Sequence, residues 1–311
     1  MSLARQLPFR AFCALTFALT ANAQSPHSPR ADLTVTPAWL AEHLKDPNLV
    51  LLHVGDRKEY DQAHIAGARF VSMQDVSVSN HDHDTNTGLM LEMPTADSLR
   101  KQLQALGISD NSRVVVYYGN DWVSPSTRII FTLDYAGLGS RSVLLDGGMN
   151  AWKETGHAVT AEVPAARTGQ LSALRIKPIV VDADYVKANL RSPSFHLIDG
   201  RGAVFYDGVK ESGPRNGHVA GAKNIPFNEV TDDKLHFKSP AELEALFTKA
   251  GVGPNDTVVA YCHIGQQATA VLFAARTLGH PVLLYDGSYQ DWSRRNTEFP
   301  VENPAEGAKK Q

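Results

Sequence analysis

The stretch Val258-Val259-Ala260-Tyr261-Cys262-His263-Ile264-Gly265-Gln266-Gln267-Ala268 decides how the rest of the chain is interpreted. The β-branched apolar run from 257 to 260 is too short for a helix and follows a turn-forming sequence at 253–256, which predicts a buried strand. Residues 268–278 are apolar nearly all round and precede Gly279, which predicts a helix packed on a sheet. The stretch therefore predicts a strand, a tight loop and a helix.

Cys262 stands at the predicted end of this strand, just before the helix N-terminus. Free backbone N–H groups and the positive end of the helix dipole converge there, and that setting favours a thiolate over a thiol. The alternative is a buried structural cysteine, because free cysteine is among the most buried residue types.

The N-terminal residues 1–23 have the three regions of a signal peptide in the usual order. Arg5 and Arg10 are basic, residues 11–20 are apolar, and Ala21-Asn22-Ala23 is a small-x-small cleavage site. The alternative is a disordered N-terminal tail. We expect a periplasmic or secreted protein that has no membrane association after cleavage, since no later apolar run is long enough to span a bilayer.

The composition is that of an ordinary α/β protein and gives no sign of nucleic-acid binding. The formal net charge is -3, with 43% hydrophobic and 20% charged residues, so nothing indicates nucleic-acid binding. Of the two cysteines, Cys13 leaves with the signal peptide, and Cys262 remains without an internal partner in an oxidising compartment. This favours a functional role for Cys262 over a structural one.

The chain of 311 residues is a duplication with an offset of about 145 residues. In each half strands alternate with helices, which predicts an α/β fold of two domains, each a mostly parallel sheet covered by helices on both faces. Thr36 and Asp182 are the matching N-caps of the first helices. The predicted segments are domain 1 at 35–160, a linker at 161–178 and domain 2 at 179–303.

The halves differ at the cysteine. Tyr118 occupies the position of Cys262 in the first half, and the loop after it, residues 119–126, is four residues longer. A tyrosine cannot replace a thiolate, so we expect the first domain to be catalytically silent, with a structural or substrate-framing role.

Together these motifs resemble the rhodanese family, and specifically its tandem-domain sulfurtransferases of the thiosulfate and 3-mercaptopyruvate type. The resemblance covers about residues 35–300 and rests on four features in the same order in both halves. The second half shows them as Asp199-Gly200-Arg201, Gly217-His218-Val219-Ala220-Gly221-Ala222, the Cys262 loop, and Asp286-Gly287 with Trp292. The family implies that Cys262 takes a sulfur atom from a small-molecule donor as a persulfide and passes it to a thiophilic acceptor, such as cyanide or a thiol. It implies no metal and no organic cofactor.

The resemblance also implies substrate-binding residues. The loop amides would cradle the donor anion and the sulfur, and the residues that supply them are His263, Ile264, Gly265, Gln266, Gln267 and Ala268. Family loops carry Cys-Arg-Lys-Gly-Val-Thr in thiosulfate-preferring members and Cys-Gly-Ser-Gly-Val-Thr in mercaptopyruvate members, and this loop matches neither. We expect thiosulfate to be a better donor than 3-mercaptopyruvate.

Several side chains have two interpretations. Arg215 matches an arginine that binds donor anions in the mercaptopyruvate group, or it is a solvated loop charge. His263 relays a proton, or it is a solvent-facing loop residue. Gln266 and Gln267 donate their amides to a donor oxyanion, or one of them caps the helix. Asp199 and Arg201 are interpreted as a structural ion pair. The sequence His81-Asp82-His83-Asp84 resembles a metal cluster, but a solvated loop is the favoured interpretation.

Two rival functions remain. A cysteine phosphatase shares the strand–loop–helix plan but needs an arginine six residues after the cysteine, where this chain has Ala268. The other rival is a non-catalytic periplasmic sulfur carrier or a rhodanese-like interaction module, which the missing loop cations keep open.

Overall fold

The structure is a computed structural model that describes residues 29–82, 88–120 and 122–308. The predicted signal peptide at 1–23 lies outside the described residues. Among the residues that are described, no helix is long and apolar enough to cross a membrane.

The first half folds around a five-stranded parallel sheet in the order β1-β5-β4-β2-β3. Helices lie on both faces of this sheet, and a 3-10 turn at Met73–Val76 precedes α4. The elements are α1 Pro29–Leu33, β1 Thr34–Val35, α2 Pro37–His43, β2 Leu49–Val54, α3 Arg57–Gln62, β3 Arg69–Phe70, α4 Ala96–Ala105, β4 Arg113–Tyr118, α5 Ser124–Tyr135, β5 Ser142–Leu145 and α6 Gly148–Glu154.

The second half repeats this plan with a parallel sheet in the order β6-β11-β10-β7-β9. An antiparallel pair of β8 and β12 is added beside it. The elements are β6 Val180–Val181, α7 Ala183–Asn189, β7 Phe195–Asp199, α8 Ala203–Tyr206, β8 His218–Val219, β9 Lys223–Asn224, α9 Pro240–Lys249, β10 Thr257–Tyr261, α10 Ala268–Thr277, β11 Val282–Tyr285, α11 Ser288–Trp292, β12 Val301–Glu302 and α12 Pro304–Ala308.

The predicted fold class is confirmed, and so are the two matching N-caps. Thr36 accepts a hydrogen bond from the N–H of Trp39 at 3.2 Å, and Asp182 accepts one from Tyr185 at 2.8 Å. Each cap satisfies a backbone donor at the start of a helix that covers its sheet. The predicted linker residues 161–178 form no helix or strand in the structure.

One hydrophobic core runs through both halves. In the first sheet Val114 and Val116 face this shared core, while Val115 faces a separate core on the other side of the sheet. The helices α5 and α10 pack against each other between the sheets and contribute Ile129 and Leu272 to the shared core. Because α10 directly follows the Cys262 loop, this packing brings the first half against that loop.

The interface between the halves repeats its contacts. Asp286 accepts the N–H of Met93 at 2.7 Å, and the equivalent Asp146 accepts the N–H of Phe237 at 3.1 Å. Each aspartate follows the last strand of its own sheet and binds a loop of the opposite half. The two halves are therefore joined by polar contacts as well as by the common core.

Candidate active site

Cys262 directly follows β10 at the carboxyl end of the parallel sheet, and its residue is only 1% exposed. Its N–H donates to Ser288 Oγ at 3.2 Å, and its carbonyl accepts the N–H of Tyr289 at 3.0 Å. Both partners lie in α11, so the backbone of the cysteine is fixed by the turn that follows the next strand. The sulfur is thus held at the point where the loop begins.

The loop after Cys262 directs its carbonyls toward the protein and keeps its N–H groups free. The carbonyl of His263 accepts the N–H of Gln290 at 3.0 Å, and the carbonyls of Gln266 and Gln267 accept bonds from the first turn of α10. Within the described part of the chain, the N–H groups of residues 263–268 donate to no acceptor. A run of free amides at a helix N-terminus is an anion-binding arrangement, suited to a thiolate, a persulfide or an anionic donor.

Gly265 makes the turn of this loop possible. Its φ of +80° lies in the left-handed region, and a Cβ there would come within 2.8 Å of Arg128 Nη1 and 2.9 Å of the Asp286 carbonyl oxygen. The position thus needs glycine both for its backbone conformation and for space.

Arg128, from α5 of the first half, lies directly against the loop with its side chain 1% exposed. Its guanidinium donates to the Gly265 carbonyl at 2.9 Å, to Asp286 Oδ1 at 2.8 Å, and to the carbonyl of Leu91. No sequence motif identified Arg128 as a residue of the site. The available signal was a single cation in an otherwise buried helix, since a buried arginine needs a partner.

A second buried ion pair lies under the loop. Asp199 and Arg201 are both fully buried, with Arg201 Nη2 2.6 Å from Asp199 Oδ2 and the guanidinium 3.9 Å from the ring centre of Tyr289. Arg201 also donates to Ser212 Oγ at 2.9 Å. The pair thus packs in the manner expected for a structural role and extends toward the loop through Ser212.

Ser212 connects this ion pair to His263. Its Oγ accepts from Arg201 at 2.9 Å and lies 3.1 Å from His263 Nδ1. Burial first, and then the charge of Arg201, lowers the pKa of His263 to about 4. The ring of Phe205 packs edge-on at 4.6 Å between centres. His263 is therefore a neutral hydrogen-bond donor at pH 7.

A cleft of about 230 Å³ opens beside the loop. His263 and Ile264 form one wall, and the segment 211–214 forms another. The cation in its lining is Arg294, which follows α11 and also donates to the carbonyl of Gly88. This cleft is lined by His263 and Ile264, the two residues that follow Cys262 in the chain.

The predicted glutamines contact the first half in different ways. Gln266 Nε2 donates to Ser124 Oγ at 3.2 Å, across the interface. Gln267 occupies the N-cap position of α10 but its side chain makes no capping bond, so the capping alternative does not apply to it. Its Oε1 is buried and has no hydrogen-bond partner among the described residues. Ala268, which begins α10, is fully buried.

Arg215 is engaged elsewhere. Its Nε donates to the carbonyl of Ser293 at 3.1 Å, its Nη1 to that of Phe299 at 2.7 Å, and its Nη2 to that of Trp292. The guanidinium therefore ties its loop to the end of α11, and these contacts do not favour the predicted donor-binding role. Nor do they fit a solvated loop charge.

The histidine-rich loop is only partly described. His81 Nδ1 lies 3.5 Å from the side-chain nitrogen of Gln290, whereas His83 and Asp84 lie outside the described residues. No group of three or more potential metal ligands occurs in the described ranges.

The chain matches a family model over most of its length. The model, described as a rhodanese-like domain, matches residues 36–155 and again residues 182–295. The chain belongs to the rhodanese family.

Individual relatives cover the tandem arrangement. The thiosulfate sulfurtransferase of Rattus norvegicus is 31% identical over 283 residues, which cover 84% of this chain and 92% of that protein. The 3-mercaptopyruvate sulfurtransferase of the same organism is 29% identical over 279 residues, covering 84% and 92%. The solved structure of SseA from Escherichia coli, described with the 3-mercaptopyruvate sulfotransferases, matches with a TM-score of 0.71 and 27% identity over 82% of this chain and 98% of that one.

The first rhodanese domain uses its equivalent position for packing. Tyr118 is fully buried, and its hydroxyl donates to the carbonyl of Leu235 in the second rhodanese domain at 2.6 Å. The same hydroxyl accepts the N–H of Gly147 at 2.8 Å. Where the second rhodanese domain has Cys262, the first therefore has an interdomain contact.

Proposed function

We propose that this chain is a sulfurtransferase that moves a sulfane sulfur from thiosulfate or 3-mercaptopyruvate to a thiophilic acceptor through a persulfide on Cys262. The observation that carries the proposal is the loop of residues 263–268, which directly follows the only cysteine of the second rhodanese domain and whose N–H groups donate to no acceptor among the described residues. The related sulfurtransferases of both donor types support the same reaction class.

The reaction has two half-reactions. The Cys262 thiolate attacks the outer sulfur of thiosulfate, the S–S bond of the donor breaks, and sulfite leaves with the bonding pair. The persulfide then carries its negative charge on the outer sulfur, where free backbone N–H groups stabilise it. An acceptor such as cyanide attacks that sulfur, leaves as thiocyanate and regenerates the thiolate. No proton has to be transferred in either step.

We further propose that thiosulfate is the better donor. Arg215, the arginine expected to bind mercaptopyruvate, donates to three main-chain carbonyls instead. In the cleft beside the loop, the neutral His263 and Arg294 are the side chains that can donate to an anion, and Glu211 is the acidic residue of the same lining. A compact sulfonate matches a ring of amides better than an extended keto acid does.

The rival functions differ in what they require. A phosphatase needs a phosphate-binding arginine at the position of Ala268, which is a buried apolar residue here. A sulfur carrier would form the same persulfide but would turn over slowly with small acceptors. Steady-state turnover with cyanide therefore separates the enzyme from the carrier.

The test is a comparison of donors on the mature protein and on Cys262→Ser. We expect multiple turnovers with thiosulfate and cyanide, a lower kcat/KM with 3-mercaptopyruvate and a thiol acceptor, and no transfer by Cys262→Ser. Equal rates for the two proteins would overturn the catalytic role of Cys262, and a higher kcat/KM with mercaptopyruvate would overturn the donor preference alone.

We also propose that the protein is exported, as a periplasmic or secreted enzyme. The support is the order of basic, apolar and cleavage-site regions in residues 1–23. Expression of the full chain in a Gram-negative bacterium, followed by mass spectrometry of the periplasmic fraction, should give a protein that begins at Gln24. Intact full-length protein in the cytoplasm would contradict this.

A further inference from the structure

We propose that Arg128, in the silent first rhodanese domain, is a positioning residue for the catalytic loop of the second. The consequence for turnover rests on the proposed sulfur transfer, whereas the consequence for the reactivity of Cys262 does not. Both follow from how one buried guanidinium is bound.

The guanidinium of Arg128 contacts the loop at its turning point. It donates to the carbonyl of Gly265, and Gly265 is the loop residue with the left-handed backbone. A peptide group whose carbonyl is bound on one side presents its N–H on the opposite side. The bond to Arg128 therefore fixes the orientation of the peptide plane between Gly265 and Gln266, whose N–H is one of the free amides.

The other donors of the guanidinium bind two different elements. One nitrogen contacts Asp286 at 2.8 Å, in the turn before α11, and the other contacts the carbonyl of Leu91, in the first domain. Asp286 in turn accepts the N–H of Met93. Arg128 therefore holds together the loop, the α11 turn that supports Cys262, and the first-domain segment at 91–93.

Neighbouring polar contacts connect the same helix to the same loop. Ser124 accepts from Gln266, and the Thr127 hydroxyl lies 2.9 Å from the hydroxyl of Thr269. The first two turns of α5 thus follow the loop from Gly265 to Thr269. This is a contact between a helix without a nucleophile and the loop that surrounds the nucleophile of its partner domain.

The geometry of the contact requires arginine. A lysine at position 128 keeps the positive charge but has a single ammonium group. It lacks the planar fork of N–H donors with which arginine binds three separate acceptors. A methionine has a comparable length and no donor, so it leaves the carbonyl of Gly265 and the carboxylate of Asp286 without this partner. Arg128→Lys therefore removes part of the hydrogen bonding to the loop, and Arg128→Met removes all of it together with the charge.

The chain offers a matched control. Tyr118→Phe also removes a buried hydrogen bond between the two domains, the one to Leu235, together with the bond from the Gly147 N–H, at the equivalent position of the first domain. Tyr118 makes no contact with the Cys262 loop among the hydrogen bonds described. The variant therefore shows how far the loss of an interdomain hydrogen bond alone changes stability and rates. Asp286→Asn is a further variant that keeps the volume of the side chain and weakens the ion pair with Arg128.

The experiment measures two properties of each variant that folds, as judged by its circular dichroism spectrum. The first is the rate of Cys262 alkylation by iodoacetamide between pH 6 and 9, which needs no sulfur donor. The second is the steady-state rate with thiosulfate and cyanide, separated into kcat and KM. A thermal midpoint for each variant records the loss of stability.

We expect Arg128→Met to alkylate about tenfold more slowly at pH 7, because the loop amides that face the reacting sulfur are no longer held in place. Its kcat should fall about a hundredfold, in line with a catalytic group displaced by about 1 Å. Arg128→Lys and Asp286→Asn should fall between it and the wild type. Tyr118→Phe should lower the thermal midpoint and keep both rates within about twofold of the wild type.

Wild-type alkylation and kcat in the folded Arg128 and Asp286 variants, with only the thermal midpoint lowered, would overturn the proposal. If Arg128→Met does not fold, Arg128→Lys and Asp286→Asn decide the question by the same two rates. If the wild type transfers no sulfur, the proposed function fails, while the alkylation rates still decide whether Arg128 positions the loop.

Discussion

Replacing Gly265 by alanine tests the geometry of the catalytic loop most severely. Alanine at a φ of +80° has left-handed backbone strain of about 1–2 kcal/mol. Its Cβ would also lie 2.8 Å from Arg128 Nη1 and 2.9 Å from the Asp286 carbonyl, both fixed by the buried interface. Overpacking of this kind costs about 1–3 kcal/mol, so Gly265→Ala should destabilise the protein by about 2–5 kcal/mol.

Gly221→Ala is the control for the strain alone. Gly221 lies in the same rhodanese domain with a φ of +81°, and nothing lies within 4 Å of the position of its Cβ. We expect this variant to lose about 1–2 kcal/mol and to retain sulfur transfer. Urea unfolding and thiosulfate turnover should be measured for both variants. Equal unfolding midpoints, or full turnover in Gly265→Ala, would refute the close contact between the loop and Arg128.

Three further outcomes are expected. Asp199→Asn leaves the charge of Arg201 buried without its partner and should lower the free energy of unfolding by about 3–5 kcal/mol in urea titrations. Burial first, and then Asp286 and Asp291, raises the pKa of Glu92 to about 7. Between the unfolded pKa of 4.5 and the folded pKa of about 7, the folded protein binds more protons than the unfolded chain. The stability that Glu92 contributes is therefore lost as pH rises from about 4.5 through 7. Glu92→Gln should flatten the pH dependence of the urea midpoint. Since the pKa of His263 is lowered to about 4, this residue should not titrate near pH 6.5. The pH profiles of thiosulfate turnover for the wild type and for His263→Gln should therefore have the same shape around pH 6.5.

Local patterns were sufficient for the fold and for the loop. The short β-branched run before Cys262 and the apolar run after it predict β10 and α10, because strand and helix periods are fixed by backbone geometry. The same patterns in both halves predict two parallel sheets. These features depend on residues close together in sequence.

Contacts between the domains could not be predicted in this way. Arg128 and Gly265 are 137 positions apart, and no period or motif in the sequence relates them. Arg215 shows the converse, since a motif match assigns an arginine to substrate whereas its partners are three carbonyls brought together by α11 and the segment after it. Which acceptors surround a guanidinium is set by tertiary packing, and the sequence alone reveals only that a buried charge needs them.

The first domain contributes directly to the surroundings of Cys262. Its α5 helix supplies a cation, two hydroxyl groups and part of the shared core to the region around Cys262. At the position equivalent to Cys262, the first domain has Tyr118, whose hydroxyl contacts the second domain.

The most direct measurement is the mass of the Cys262 peptide after the protein is incubated with thiosulfate. We predict a gain of one sulfur atom on this peptide, which disappears when cyanide is added and is absent from Cys262→Ser. An unchanged mass, or the same gain in Cys262→Ser, would contradict the claim that this cysteine carries the transferred sulfur.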